Sequence, residues 1–432
     1  MTEAVKRQPA VSGLSLVLSA WHDQYARIFN IDLFTVLIAI LLPWSTSGVV
    51  IVAILWFMAL IPSLEIRPFL RSLLRPVCVL PIAFFALSLV GTLWSDAPWA
   101  ERLYAVGPTA KLLMLPLLFY HFERTTRAAW IFVAFLVSCT LLTVLSWAVA
   151  FAPELSLKTN FSPNPVFLER GIFVKNYIDQ SQEFTLCLVA MAYPIMTFLR
   201  AKKFLMAALL IALVLNFFAN MALVVVSRTA LVTIPFMLAV FALLHLRWRV
   251  SLAIFCAAIA VSALAWTSSS QLQQRTSMFL RDYELYKEIN GATSIGLRLE
   301  FWKKSLRFVA EAPVVGHGTG SIRGLFERAA VGQGGAAAEI VSNPHNQTLN
   351  VAVQWGIIGV VVLYAMWFLH LMLFRGEGLV AWIGLLVVVQ NICTSLFNSH
   401  LFDFHEGWMY VIGVGVAGGT ILGQRPTPAE PS

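Results

Sequence analysis

Charge is what this chain has least of. Only 12% of its 432 residues are Asp, Glu, Lys or Arg, against 59% hydrophobic. Soluble domains carry roughly twice that charge, so an ordinary soluble fold is excluded. Apolar stretches near 20 residues recur from end to end, and each is long enough to cross a bilayer core of about 30 Å as a helix. Cysteine is scarce too. Cys78, Cys139, Cys187, Cys256 and Cys393 all fall inside apolar stretches, without the spacing of a metal site or a disulfide framework, and read as small core residues. Also missing are an internal repeat, a Walker loop, an Asp-rich sugar-nucleotide motif and H-E-x-x-H. "GHGTG" (Gly316–Gly320) imitates a nucleotide loop, but no strand precedes it and it reads as a turn. No cofactor, metal or nucleic acid is expected. The formal charge of +8 reads as the usual Lys/Arg excess of cytoplasmic loops.

What is present is an all-α polytopic membrane protein of about twelve spans. They run roughly over 31–46, 48–64, 76–94, 103–120, 128–151, 180–199, 204–226, 229–245, 250–267, 348–373, 379–397 and 407–423. The short loops holding Arg67/Arg71/Arg75, Arg124/Arg127, Arg200/Lys202/Lys203, Arg247/Arg249 and Arg375 alternate regularly along the chain. The positive-inside rule makes their side cytoplasmic and puts both termini there. The organisation is then a cytoplasmic segment 1–30, nine spans over 31–267, a large external loop 268–347, three spans over 348–423, and a tail 424–432 expected to be disordered. The apolar patch Ala10–Ala20 is too short to span and lacks a cleavage flank, so no cleaved signal is expected. The external loop is long enough to imply function and to fold as a mostly helical subdomain. "GQGGAAAE" (Gly332–Glu339) reads as a flexible connection.

Three external residues stand out. In "NPHNQTLN" Asn343 suits an N-cap and Pro344 the first helical position, which makes His345 the second residue of the tenth span. The positive helix N-terminus there would keep the imidazole neutral and able to accept a proton, and would attract phosphate. The alternative is a polar residue snorkelling at the membrane boundary. Arg228, in "VVVSRTALV", occupies a short external turn where a cation opposes the helix dipole unless an anion answers it; lipid headgroups are the other reading. In "IGLRLEFWKKSLRFVA", Ile295, Leu299, Trp302, Leu306 and Val309 share one face, and Glu300, Lys303, Lys304 and Arg307 read as the solvated face. Arg298 lies at the edge of the apolar stripe. It needs a partner there, either an internal carboxylate or a bound anion. Arg170, Lys175 and Asp179 in the first long external segment, and Asn346 beside the histidine, are candidates to line the same cavity. Asp403, in "SHLFDFHEG" with His400, His405 and Glu406, is a candidate to orient a catalytic group. A metal site is the other reading of that cluster, on spacing that is unspecific.

With "SRTALV" (227–232), "GLRLEFWKKSLRFVAEAPVVGHGTGSI" (296–322) and "HNQTLNVAVQWGIIG" (345–359) together, the chain resembles the O-antigen ligase family. The resemblance covers roughly residues 180–425. It implies an inner-membrane enzyme that moves a polysaccharide from undecaprenyl pyrophosphate to lipid A–core at the periplasmic face, without ATP or metal. The family's essential histidine matches His345, and its two essential arginines match Arg228 and Arg298. An O-antigen polymerase shares the domain. Its paired Arg-x10-Gly motifs are incomplete here, since Arg170 is followed at that spacing by Ser181. A secondary transporter would predict repeated halves and mid-span charges; no repeat is evident, and the notable polar residues gather at the outer face.

Overall fold

The computed structural model describes residues 24–157, 171–225, 227–268, 270–289 and 291–424. Among them there are helices and no strands. The patch Ala10–Ala20 and the tail beyond Gln424 lie outside the described residues. All twelve apolar segments fall on helices. The first half runs α1 (Gln24–Leu41), α2 (Thr46–Leu60), α3 (Ile66–Leu73), α4 (Pro76–Val90), α5 (Trp99–Ala110), α6 (Met114–Phe122) and α7 (Ala128–Phe151). Next come α8 (Tyr177–Ala190), α9 (Ala192–Arg200), α10 (Phe204–Leu223), α11 (Arg228–His245) and α12 (Trp248–Ser268). The loop subdomain contributes α13 (Ser270–Ile289), α14 (Ser294–Glu311) and α15 (Ile322–Ala330), and the chain closes with α16 (Gln347–Leu373), α17 (Leu379–Thr394) and α18 (Phe404–Gly423).

Seven helical stretches among the described residues are long and apolar enough to cross a membrane, and α11, α12 and α17 carry shorter apolar runs. Large apolar side chains such as Ile51, Ile54, Leu141, Val144 and Val361 face outward. A soluble protein could not sustain so much exposed apolar surface, whereas lipid solvates it. The bundle is held by close helix approach instead. α18 packs along α6, and a Cβ added at Gly419 would lie 2.7 Å from the Phe119 carbonyl oxygen. Small residues at such a contact are how membrane helices gain packing when no hydrophobic drive separates them from lipid. Of the cysteines, Cys78, Cys139 and Cys187 are buried, but Cys256 is exposed on α12 and so is not a core residue.

The loop subdomain has its own small core of Phe301, Phe308, Ile322, Leu325 and Phe326, closed by Val353 of α16. α16 is broken where the two meet. Gly356 has φ 57 and ψ −153, a conformation open to glycine and costly for other residues. The interrupted ladder is repaired by the loop. The Val353 and Gln354 carbonyls accept from the N–H groups of His317 (2.9 Å) and Gly318 (2.8 Å), and the Ile357 N–H donates to the Pro313 oxygen at 2.9 Å. "GHGTG" is therefore a turn, and its backbone satisfies a broken membrane helix as the bilayer interior requires.

Two expectations about the loop are corrected. Glu300 and Lys304 are buried, not solvated, while Leu306 of the supposed inner face is exposed. Phe301 and Phe308 set the inward direction of α14, and Glu300 and Lys304 lie on their side of the helix. Tyr286 donates its hydroxyl to Glu300 at 3.0 Å, and Lys304 donates its ammonium to the Ala337 carbonyl. The segment Gly332–Glu339 includes a 3-10 turn, Gly335–Ala338, with Ala336 and Ala337 buried. The carbonyl that answers Lys304 explains why so small and glycine-rich a stretch is ordered.

Candidate active site

α16 begins three residues later than its sequence suggests. Asn346, not Asn343, is the N-cap, and its side chain accepts from the Leu349 N–H. Asn343 is already engaged: its Oδ1 accepts the His345 N–H at 2.9 Å in a local turn. His345 therefore stands just outside the helix, with φ +53, a strained region for a non-glycine residue. Such strain persists only where surroundings over-determine it, and here they do. Ser399 Oγ donates to Asn343 Oδ1 at 2.7 Å, the Gln347 N–H to the Ser395 carbonyl at 2.9 Å, and Asn346 Nδ2 to the Leu396 carbonyl at 3.1 Å. The turn before α16 is thus clamped onto the loop between α17 and α18. Asn346 acts as cap and clamp.

The orientation of the imidazole follows from a three-residue chain. His345 Nδ1 lies 2.8 Å from Asn398 Oδ1, and Asn398 Nδ2 donates to Asp403 Oδ2 at 2.8 Å. An ionised carboxylate only accepts. The Asn398 amide nitrogen must then face Asp403, and its oxygen faces the histidine. His345 carries its proton on Nδ1, and Nε2 keeps the lone pair. Nε2 makes no hydrogen bond among the described residues. The ring stacks on Phe301 at 6.0 Å, which ties it to the loop subdomain core. Burial depresses the His345 pKa, the Asn398 bond opposes this, and the positive charges of Arg298 and His400 depress it further. The imidazole is neutral near pH 7, with burial the largest cause and the Arg298 charge a further one. Burial and the Glu406 carboxylate push Asp403 up to about 6, so at neutral pH it remains an acceptor.

Arg298 is half-buried on α14 and lies within electrostatic reach of His345. Arg228 is the first residue of α11, after the N-cap Ser227; its side chain lies outside the described residues. The turn that carries it joins the same end of the bundle as residues 171–180. There Asn220 of α10 meets Ser146, which donates to the Gly171 carbonyl and accepts from Gln180. Arg170 lies outside the described residues. Lys175 donates to the Leu42 carbonyl at the end of α1. Burial lowers its pKa, and Glu183 and Asp179 partly restore it. It joins a second polar cluster rather than the His345 turn.

Of that cluster the sequence reading names Lys175, Asp179, His400, Asp403, His405 and Glu406 but misses Lys111 and Glu183. His405 Nδ1 pairs with Asp179 Oδ2 at 2.7 Å, and His400 Nδ1 lies 3.2 Å from Glu406 Oε1 and 3.5 Å from Asp403 Oδ2. Burial opposes charge on His400, yet Glu406 and Asp403 outweigh it and hold the imidazole above its ordinary value. Lys111 of the 3-10 turn between α5 and α6 donates to the Phe402 carbonyl at 3.1 Å and to that of Asp403. Potential ligand atoms of His400, Asp403 and Glu406 lie within 4.8 Å of one another. This group could hold a cation, although the Lys111 ammonium already supplies positive charge beside it. Glu183 is fully buried, and neither carboxylate oxygen has a hydrogen bond among the described residues. Lys111 and Glu183 each interrupt an apolar run, so the signal for a functional intramembrane charge was legible. Asn398 gave no such signal.

Residues 213–364 match the family described as O-antigen ligase. Over that segment, about a third of its length, the chain is similar to the O-antigen ligase family. Arg228, Arg298 and His345 all fall inside the matched segment, whereas Asn398 and Asp403, which orient the histidine, lie beyond it. Among curated proteins none matches the chain. The match supports ligase- or polymerase-type glycosyl transfer in general, and the long apolar helices are those of a membrane protein.

Proposed function

We propose that this chain is an O-antigen ligase of the bacterial inner membrane, with both termini cytoplasmic and its active site periplasmic. Its donor is a polysaccharide on undecaprenyl pyrophosphate, and its acceptor is lipid A–core. His345 Nε2 takes the proton of an acceptor sugar hydroxyl as that oxygen attacks the anomeric carbon. The new glycosidic C–O bond forms as the C–O bond to pyrophosphate breaks, with inversion. Arg298 and Arg228 bind the pyrophosphate and stabilise its growing negative charge. The bond that breaks supplies the driving force, so neither ATP nor a metal takes part.

The observation carrying this reading is the chain His345–Asn398–Asp403, which leaves Nε2 unprotonated and, among the described residues, unengaged, within electrostatic reach of the half-buried Arg298. Deleting the gene and inspecting the lipopolysaccharide tests the reading. A ligase defect leaves bare core while polymer accumulates on the lipid carrier. Core bearing a single repeat unit would instead identify a polymerase.

A further inference from the structure

At the opposite end of the bundle from His345 lies a second polar cavity, of about 240 Å³. Its walls come from α1 (Arg27, Ile28), the turn after α2 (Leu60 to Glu65), the end of α6 (Tyr120, His121) and Arg124. We propose that this cavity binds the phosphate of an anionic phospholipid headgroup.

Four observations carry the proposal. First, among the described residues two guanidinium groups, Arg27 and Arg124, line the cavity, against one carboxylate, Glu65. Three nearby basic groups answer carboxylates outside the cavity lining. Arg127, His121 and Thr125 all bond the fully buried Asp32, at 3.0, 2.8 and 2.9 Å, and Arg75 pairs with Glu123. Second, Arg124 has no ion pair among the described residues. Its guanidinium stacks 3.5 Å over the Tyr120 ring and donates to the Tyr120 carbonyl. That fixes its planar fork at the cavity wall, and such a fork matches phosphate oxygens bidentately. Third, the Ser63 hydroxyl is buried and makes no hydrogen bond among the described residues, which leaves a donor for a phosphate oxygen.

The fourth observation says why the phosphate comes from a lipid. α3 leads directly out of the cavity wall. Ile66, Leu70 and Leu74 are exposed at four-residue spacing, next to exposed Arg67 and Arg71. This is the pattern of a short amphipathic helix lying in the bilayer interface. Phe69 packs edge-on against Tyr120 with centroids 5.3 Å apart, so the cavity lies at the depth of α3, among headgroups. Basic pockets between membrane helices at that depth are where anionic headgroups bind.

The test is native mass spectrometry of the full chain in detergent, titrated with phosphatidylglycerol and, in parallel, phosphatidylcholine. The wild type should retain phosphatidylglycerol preferentially. Arg27→Gln with Arg124→Gln should lower that preference by about 30-fold, the effect of two interfacial cations. Ser63→Leu, which fills the cavity without touching charge, should lower it too. Arg249→Gln, an exposed arginine elsewhere, should leave it intact. Because each variant is compared with itself on the two lipids, a folding defect lowers both and is distinguishable. An unchanged preference in the double variant and in Ser63→Leu overturns the proposal. Displacement of the lipid by millimolar inorganic phosphate also overturns it, by showing a free-phosphate site.

Discussion

The Nδ1 of His345 and the side-chain oxygen of Asn398 are 2.8 Å apart, across 53 residues of sequence. Because Asn398 is held from behind by Asp403, this one contact fixes which imidazole nitrogen carries the proton. On the proposed function Asn398 is a positioning residue, and substitutions there should behave accordingly. Asn398→Leu should lower kcat by about 10-fold to 100-fold, the scale of 1–3 kcal/mol for an orphaned buried donor, with little change in donor KM. Nitrogen NMR of the imidazole should report mixed tautomers. A single Nδ1–H tautomer with a normal rate would remove Asn398 from the site.

His345→Ala should abolish transfer while the protein still accumulates in the membrane, as measured by single-turnover glycan transfer in nanodiscs. The pH profile supplies the finer test. A base with a depressed pKa is competent above that pKa, so the rate should rise from acid pH and level off below the ordinary value of 6.5. Arg298→Gln removes a nearby positive charge and should move this acid limb to higher pH. An unmoved limb would mean that another group titrates.

Arg228→Lys and Arg298→Lys should fold normally yet lose about 2–4 kcal/mol of transition-state stabilisation, on the order of 30-fold to 1000-fold in rate. A point charge cannot reproduce the bidentate fork. Arg307→Ala is the proper control, since Arg307 is exposed and, among the described residues, paired only to Glu311 on its own helix. Lys304, buried against Ala337, is not. Equal damage from the control would defeat the phosphate-clamp assignment.

EDTA should leave transfer unchanged, since the proposed steps use only protein groups and the pyrophosphate bond. Activity lost in chelator and restored by one divalent ion would instead put a metal at His400, Asp403 and Glu406.

Gly356→Ala should destabilise the fold by about 2–4 kcal/mol, read as a lower Tm in detergent. The new Cβ would fall 2.3 Å from the Val314 carbonyl oxygen, at a positive φ. A Tm equal to that of the wild type would show that α16 can straighten without the loop.

The sequence by itself determined the membrane class and the helices, and it singled out His345, Arg228 and Arg298 as candidates. Hydrophobic length and residue type are local properties, and the bilayer enforces helix wherever an apolar run is long enough. Local rules also reached their limit at "NPHN". Both asparagines can cap a helix, and only the α17–α18 loop, by engaging Asn343 through Ser399, decided that Asn346 does so. In the same way, α14 has two faces of mixed character. Its inward side was chosen by Phe326, Ile322 and Val353, and that choice buried Glu300 and Lys304. The orientation of His345, its contact with Asn398 and the breaking of α16 against "GHGTG" all join segments distant in the chain. Such pairings follow from which surfaces fit and which buried polar groups must be satisfied, and only the tertiary structure decides them.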